Sequence, residues 1–265
     1  MSSAHPLPYD FSDDDLLRFS RQILLDEVGI EGQSRLQQAH ALVLGLGGLG
    51  APAALYLAAA GIGRLTLADH DTVELSNLQR QVIHTQDRIG QLKVDSARAG
   101  LLAVRDTVDI RTVPLKLDEA ALPGLLEGVD VALDCSDNFK TRQALNAACV
   151  ARGIPLVSGS AVRWDGQLAV FDTREAQAPC YACLFPPHLP PSDIACATMG
   201  VISPLVGTIG SLQALEAVKC LLGHPGLPPA NGVLHMLDAR QLRWQQVKVP
   251  RNPACPVCGA RGCAA

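Results

Sequence analysis

Apolar positions recur at helical spacing over Asp13–Leu25 and Glu31–His40 and predict two helices, the first N-capped by Ser12 with Asp15 as capping-box partner. A short apolar run, Ala41–Leu44, then predicts a buried strand leading straight into Gly45-Leu46-Gly47-Gly48-Leu49-Gly50. The Ala/Leu-rich stretch Ala51–Ala60 reads as a helix stopped by Gly61, and Arg64–Asp69 as a strand ending in an acid. The alternation continues with helices near Gln91–Val104, Glu119–Glu127 and Thr141–Arg152, and strands at Val108–Val113, Asp130–Leu133 and Ile154–Ser158. Strands alternating with helices of this length imply a Rossmann-like α/β fold, its mostly parallel sheet covered by helices on both faces through right-handed crossovers.

Beyond residue 160 the character changes. Gly166–Phe171 reads as a strand, Pro179–Pro191 is rich in proline and cysteine, and Ser203–Leu222 reads as a helix. Val233–Leu237 and Leu242–Val247 predict antiparallel strands closing the sheet edge as a hairpin. The organisation expected is N-terminal helices over 1–40, a nucleotide-binding core over 41–160 and a C-terminal part over 161–265, together forming one compact domain.

Composition narrows the function. With 48% apolar and 18% charged residues in 265, the chain is expected to bury a substantial core. Net charge is 22 − 26 = −4, which argues against nucleic acid held through phosphate contacts. Ala51–Gly63 is too short to span a bilayer and Val201–Leu215 carries Pro204, Gly207 and Gly210, so no membrane association is expected. The N-terminus is acidic, without the apolar stretch of an export signal, so the nine cysteines are expected to be reduced thiols or metal ligands in the cytoplasm.

The candidate chemistry begins at Gly45, Gly47 and Gly50, which match G-x-G-x-x-G between a strand and a helix. Glycines there let a phosphate or ribose approach backbone N–H groups at the positive end of a helix, although they also serve close packing of helix on strand. Asp69, 24 residues after Gly45, ends the next strand, where a carboxylate can accept from ribose hydroxyls. Alone, this set would suit a nicotinamide or flavin dinucleotide. Three further segments point to a triphosphate: Ser76-Asn77-Leu78-Gln79-Arg80-Gln81, then Lys93, then Asp134-Cys135-Ser136-Asp137-Asn138 after the fourth parallel strand. Arg80 and Lys93 can neutralise phosphates, Asn77 and Gln79 add amides, and Asp137 offers a hard oxygen ligand for Mg²⁺.

Those same segments, Gly45–Gly50, Leu67–Gln81 (LADHDTVELSNLQRQ), Lys93 and Asp134–Asn138, resemble the adenylating enzymes related to the ubiquitin-activating enzyme. Within that group the likeness is to the bacterial molybdopterin-synthase and thiazole-pathway sulfur-carrier adenylyltransferases. It runs from Leu17-Arg18-Phe19-Ser20-Arg21-Gln22 to the final cysteines. The resemblance implies that the terminal Gly-Gly carboxylate of a ubiquitin-like sulfur carrier attacks the α-phosphorus of ATP. The carrier expected is the small subunit of molybdopterin synthase, with a thiamine-pathway or other carrier as alternative and a non-catalytic scaffold as a remote one. It places Gly48 and Asp69 on the nucleoside, Asn77, Gln79, Arg80 and Lys93 along the phosphates, and Asp137 on Mg²⁺. It implies a homodimer in which Arg21 reaches the neighbouring subunit's ATP, with Arg18 a weaker candidate. No sulfurtransferase domain follows residue 265, so a separate sulfur donor is expected.

The cysteines sort by spacing. Cys180-x-x-Cys183 and Cys255-x-x-Cys258 are knuckles separated by the 71 residues 184–254, a pattern for a closed four-thiolate zinc site that ties the tail to mid-chain, with His188 and Cys263 as competing ligands. Cys196 lies just before the Ser203 helix and has two readings, a nucleophile forming a thioester or acyl persulfide with the carrier, or an inert loop thiol. Cys149 and Cys220 fall on apolar helix faces, Cys135 reads as small and half-buried, and the seven histidines show no metal spacing. Phe185–Pro191 is expected to be a crossover loop over the groove that admits the carrier's tail.

Overall fold

A computed structural model describes residues 11–115, 122–189 and 199–259. Helices α1 (Asp13–Ile23) and α2 (Gly29–Gln38) precede β1 (His40–Leu44), α3 (Gly50–Ala60) and β2 (Arg64–Ala68). Then come α4 (Lys93–Val104), β3 (Asp109–Val113), α5 (Leu122–Leu125), β4 (Val131–Asp134), α6 (Phe139–Arg152) and β5 (Leu156–Val162). The chain closes with β6 (Asp165–Phe171), α7 (Tyr181–Leu184), α8 (Ser203–Leu222), β7 (Val233–Asp238) and β8 (Arg243–Lys248). The eight strands form one sheet in the order β3-β2-β1-β4-β5-β6-β7-β8. Strands β1 to β5 pair in parallel and β5 to β8 antiparallel, so the mixed sheet and closing hairpin match the sequence reading.

Alternation along each strand decides which helix covers which face. Ala41 and Val43 of β1 join Leu65, Leu133 and Val157 in a core sealed by α2, α3, α4 and α8, while Leu42, Leu44, Ala132 and Leu156 face α5, α6 and Tyr181. All five β1 residues are buried, as a central parallel strand covered on both faces requires. Helix α8 is long and apolar enough by composition to cross a membrane, yet here it lies on the sheet with Leu205, Val206, Ile209, Ala214 and Ala217 buried. Its Gln213 donates through Nε2 to the Asp134 and Val157 carbonyls at 2.8 and 3.1 Å, and Gly159 leaves no room there for any side chain.

Small shifts from the sequence reading have local causes. Helix α2 ends at Gln38 because His40 already pairs with Arg64 as a strand residue. The anticipated helix Glu119–Glu127 is described only as α5, since residues 116–121 lie outside the described residues. Cys135 is buried, not half-buried, and its thiol donates to Gln213 Oε1 at 3.5 Å. The capping box at Ser12 and Asp15 is complete.

Helix α1 docks through Phe19, 1% exposed and capped by the Arg105 guanidinium 5.6 Å from its ring, and through Gln22, which donates to the Ala60 carbonyl. That anchoring leaves Arg21 exposed in the last helical turn. Arg18 instead donates to the Val104 carbonyl at the end of α4.

Candidate nucleotide-binding site

The parallel strands discharge their C-terminal ends onto one edge, and the glycine turn lies there between β1 and α3. Its glycines divide by what surrounds them. A Cβ on Gly50 would stand 1.8 Å from the Gly45 carbonyl oxygen, and one on Gly48 would strike Val206 of α8 at 2.4 Å. Gly45 has φ +90° and sits against the Cys135 carbonyl. Packing therefore accounts for these three. Gly47 differs: a Cβ there would meet only Gln81 Nε2 at 3.6 Å, so backbone is left bare without any packing demand.

Asp69 ties this turn to the end of β2. Its carboxylate accepts from the Leu46 N–H at 2.7 Å and from the Asp71 N–H at 2.9 Å. Asp71 in turn binds Lys93 at 2.9 Å, placing that buried ammonium at the first residue of α4. A cavity of about 340 Å³ opens beside it, lined by His70, Asp71, Thr72, Glu74, Asn77 and Lys93. Arg80 packs its stem near Gly48 and donates to the Ser76 carbonyl at 3.1 Å. Ser76 and Gln79 are exposed and Leu78 is half-buried. The Asn77 amide closes its own turn with the Glu74 N–H and Ser76 hydroxyl, and Asn138 caps α6 by accepting from the Thr141 N–H at 2.9 Å.

One acid ends β4 and another follows it, and their fates diverge. Asp134 is fully buried, accepting from the Ser136 hydroxyl at 2.6 Å and pairing with Arg142 at 3.3 Å. Arg142 also donates to the carbonyls of Ser136 and Gly159, so it pins the stretch that carries Asp137. Asp137 itself is exposed and makes no hydrogen bond or ion pair among the described residues, which leaves its carboxylate oxygens open to a hard cation. The structure thus brings Gly45–Gly50, Asp69, Arg80, Lys93 and the β4 end to one edge. Arg21 stays apart on α1, and Cys196 lies outside the described residues.

Sequence reasoning missed His84, which no spacing signalled. Its buried ring bridges the Leu46 carbonyl of the glycine turn at 3.0 Å and Ser96 of α4 at 2.9 Å. A carbonyl only accepts, so Nε2 carries the proton and Nδ1 accepts from the Ser96 hydroxyl. At the opposite end of the sheet His40 is held likewise between the Gly128 carbonyl and Thr66. Burial lowers the proton affinity of both imidazoles below the ordinary value of 6.5.

Away from this edge, four sulfurs converge as the knuckle spacing required. Cys180, Cys183, Cys255 and Cys258 lie with all sulfurs within 4.8 Å of one another, Cys180 and Cys255 being 3.7 Å apart and Cys183 and Cys258 3.4 Å. A tetrahedron with Zn–S of about 2.3 Å has edges of about 3.8 Å. The Asn146 amide points at Cys180 Sγ and the Asn252 N–H at Cys183 Sγ. Burial pushes both these thiols up, so a dense thiolate cluster here calls for a cation. His188 is exposed and outside the cluster, and Cys263 lies outside the described residues. Burial likewise pushes Cys149 and Cys220, both core residues, well up.

An open glycine turn, an acid at the next strand end and two cations at one sheet edge suit a nucleotide, and the relatives of this chain make it a nucleotidyltransferase. The chain belongs to the ThiF family, whose model matches residues 19–257. The molybdopterin-synthase adenylyltransferase of Salmonella typhimurium is 47% identical over 94% of this chain and 99% of its own length. The sulfur carrier protein ThiS adenylyltransferase of Escherichia coli is 44% identical over 94% of this chain and 97% of its own. Among solved structures, E. coli MccB shares the fold with a TM-score of 0.80 at 22% identity, covering 97% of this chain and 75% of that one.

The glycine analysis yields paired expectations. Gly50→Ala should cost about 2–3 kcal/mol or prevent folding, whereas Gly47→Ala should melt like the parent and lose nucleotide affinity. Calorimetry and ATP titration check this, and a stable Gly50→Ala or a fully active Gly47→Ala would contradict it. The histidines set a pH dependence: depressed folded affinities mean stability is flat above about 6.5 and falls as pH drops below it, by up to about 1.4 kcal/mol per unit for each ring. Urea unfolding at pH 7.5 and 5.5 should show the loss, with a shallower slope in His84→Gln; equal stability at both pH values would refute the assignment.

Proposed function

We propose that this chain uses ATP to adenylylate the C-terminal Gly-Gly carboxylate of a small ubiquitin-like sulfur carrier, releasing pyrophosphate, and that its carrier is the small subunit of molybdopterin synthase. One observation carries the reading: an open glycine turn, an acid on the second strand, two cations and a free acid after β4 share the C-terminal edge of one parallel sheet. The 47% identical relative is named for molybdopterin synthase. A second reading, the thiamine-pathway carrier, is supported by the relative named for ThiS at 44%.

The chemistry needs no general base. A terminal carboxylate is ionised at pH 7 and attacks the α-phosphorus directly; the new bond is carboxyl oxygen to phosphorus, and the α–β bridging oxygen leaves with pyrophosphate. The residues have to bring two anions together and absorb charge on the leaving group. Gly47 and Gly48 offer backbone, Asp69 receives ribose hydroxyls, and Arg80 and Lys93 lie along the phosphates with Asn77 and Gln79. Asp137 would hold Mg²⁺, which when bound neutralises phosphate charge. In a homodimer, Arg21 is free to reach the partner's nucleotide, whereas Arg18 is engaged by Val104. The four cysteines would hold Zn²⁺ as a structural clamp on the tail. Cys196 keeps both readings, a nucleophile that takes the carrier's acyl group from the adenylate as AMP leaves, or an inert loop thiol, and a separate protein would donate sulfur in the cytoplasm.

ATP–pyrophosphate exchange with purified carriers tests this. Exchange should require a carrier ending in Gly-Gly and be fastest with the molybdopterin one, and Arg80→Ala and Asp137→Ala should fall at least about 10²-fold while remaining folded. Near-parent exchange in either variant, or none with any carrier, would sink it. Metal analysis should find about one zinc per chain, and Cys255→Ser should lose it together with protection of the tail from proteolysis. Four freely titratable native thiols and no metal would overturn the clamp.

A further inference from the structure

Lys93 is held against strong physical opposition. Its side chain is 7% exposed, and as the first residue of α4 it sits at the positive end of the helix dipole, where a cation is disfavoured. Burial of an ammonium is costly unless it is paired. Among the described residues its ion-pair partner is Asp71, whose Oδ2 lies 2.9 Å from Nζ and whose backbone carbonyl accepts from the Lys93 N–H at 2.9 Å. Two contacts between the same two residues fix the start of α4 on the end of β2.

Asp71 is itself positioned from the nucleotide side. Its N–H donates to Asp69 Oδ1, and the other Asp69 oxygen holds the Leu46 N–H of the glycine turn. A continuous chain therefore runs from the glycine turn through Asp69 and Asp71 to Lys93. Asp71 is half-exposed into the polar cavity, whereas Lys93 reaches the same cavity through only a small exposed part of its side chain.

We infer that Asp71 is the positioning residue of the phosphate site: it pairs with and aims the buried Lys93 ammonium and couples the ribose-binding acid to the phosphate-binding cation. The inference rests on the reading of Lys93 as a phosphate ligand. Burial raises the Asp71 carboxyl, but the hydrogen bond and charge of Lys93 outweigh it and hold the acid below its usual range, so the pair is ionic. Other titratable groups facing the pair are His70, 3.4 Å from Asp71, Glu74 across the cavity, Asp69, and His84, whose proton affinity Lys93 helps to depress. None of these contacts the Lys93 ammonium at ion-pair distance among the described residues.

The test is Asp71→Asn, which keeps shape and removes charge. The chain has five lysines, so with ε-¹³C-lysine labelling Lys93 can be identified as the resonance missing in Lys93→Arg. In Asp71→Asn that resonance should move from its parent position at neutral pH as the ion pair is lost. The KM for ATP in pyrophosphate exchange should rise about tenfold or more with kcat nearly kept, and Asp71→Glu should recover part of the loss, a split that mere loosening would not produce. An unchanged Lys93 resonance, or an unchanged KM, would overturn the inference. Absence of exchange in the parent with every carrier would fail the adenylylation reading instead, and the Lys93 resonance would still decide the pairing.

Discussion

At Gly50 the first turn of α3 comes so close to the end of β1 that a single methyl group would overlap the Gly45 carbonyl. That approach brings the N-terminus of α3 to the end of the central strand, and its bare N–H groups and dipole create a place for anionic oxygen. Everything else at the edge is aligned to it. Asp69 grips the turn at Leu46, His84 grips it from below through the same residue's carbonyl, and Arg80 lies along Gly48. The glycines that look alike in the sequence do different things: three make the approach sterically feasible, and Gly47 leaves the resulting surface open.

Charge at this edge is organised by burial. Asp134 and Arg142 are both withdrawn from water, and the acid is saturated by hydroxyls, a backbone N–H and the guanidinium. Removing either partner would strand a buried charge, so this pair serves as a fixed post and not as chemistry. Asp137, three residues on, inherits a rigid base and keeps its own carboxylate exposed. Lys93 is the reverse case, a buried cation paired with one half-exposed acid. One edge therefore holds a free anion and a supported cation, a polarity suited to a metal–phosphate ligand.

The cysteine cluster secures a different requirement. Strand β8 has all six residues exposed and adds little to the core, so the tail beyond it is seated by Val249 and by the cysteine cluster. Knuckles at 180–183 and 255–258 fasten that tail to the segment following β6, close to α6 through Asn146. With the zinc proposed above bound, the four thiolates would add a clamp of metal–ligand strength at this end of the sheet.

The parallel core, the closing hairpin, the glycine turn and the knuckles were all legible in the chain because each is a local pattern of period, turn chemistry or spacing. The gathering of the candidate residues at one edge was legible too, since residues that follow the strand ends of a parallel sheet converge there. What the linear order could not reveal was commitment. Asp134 and Asp137 share one short acidic stretch, yet only packing of α6 and α8 buries the first and spares the second. Arg18 and Arg21 sit on one helix, yet only the seat of Phe19 against Arg105 turns Arg18 to α4 and leaves Arg21 exposed. Asp71 and His84 acquire their roles from partners 22 and 38 residues away in the chain, across elements whose contact is a property of the folded sheet. Local physics wrote the elements and the inventory of groups, while desolvation and close packing decided which of those groups remain available to a ligand.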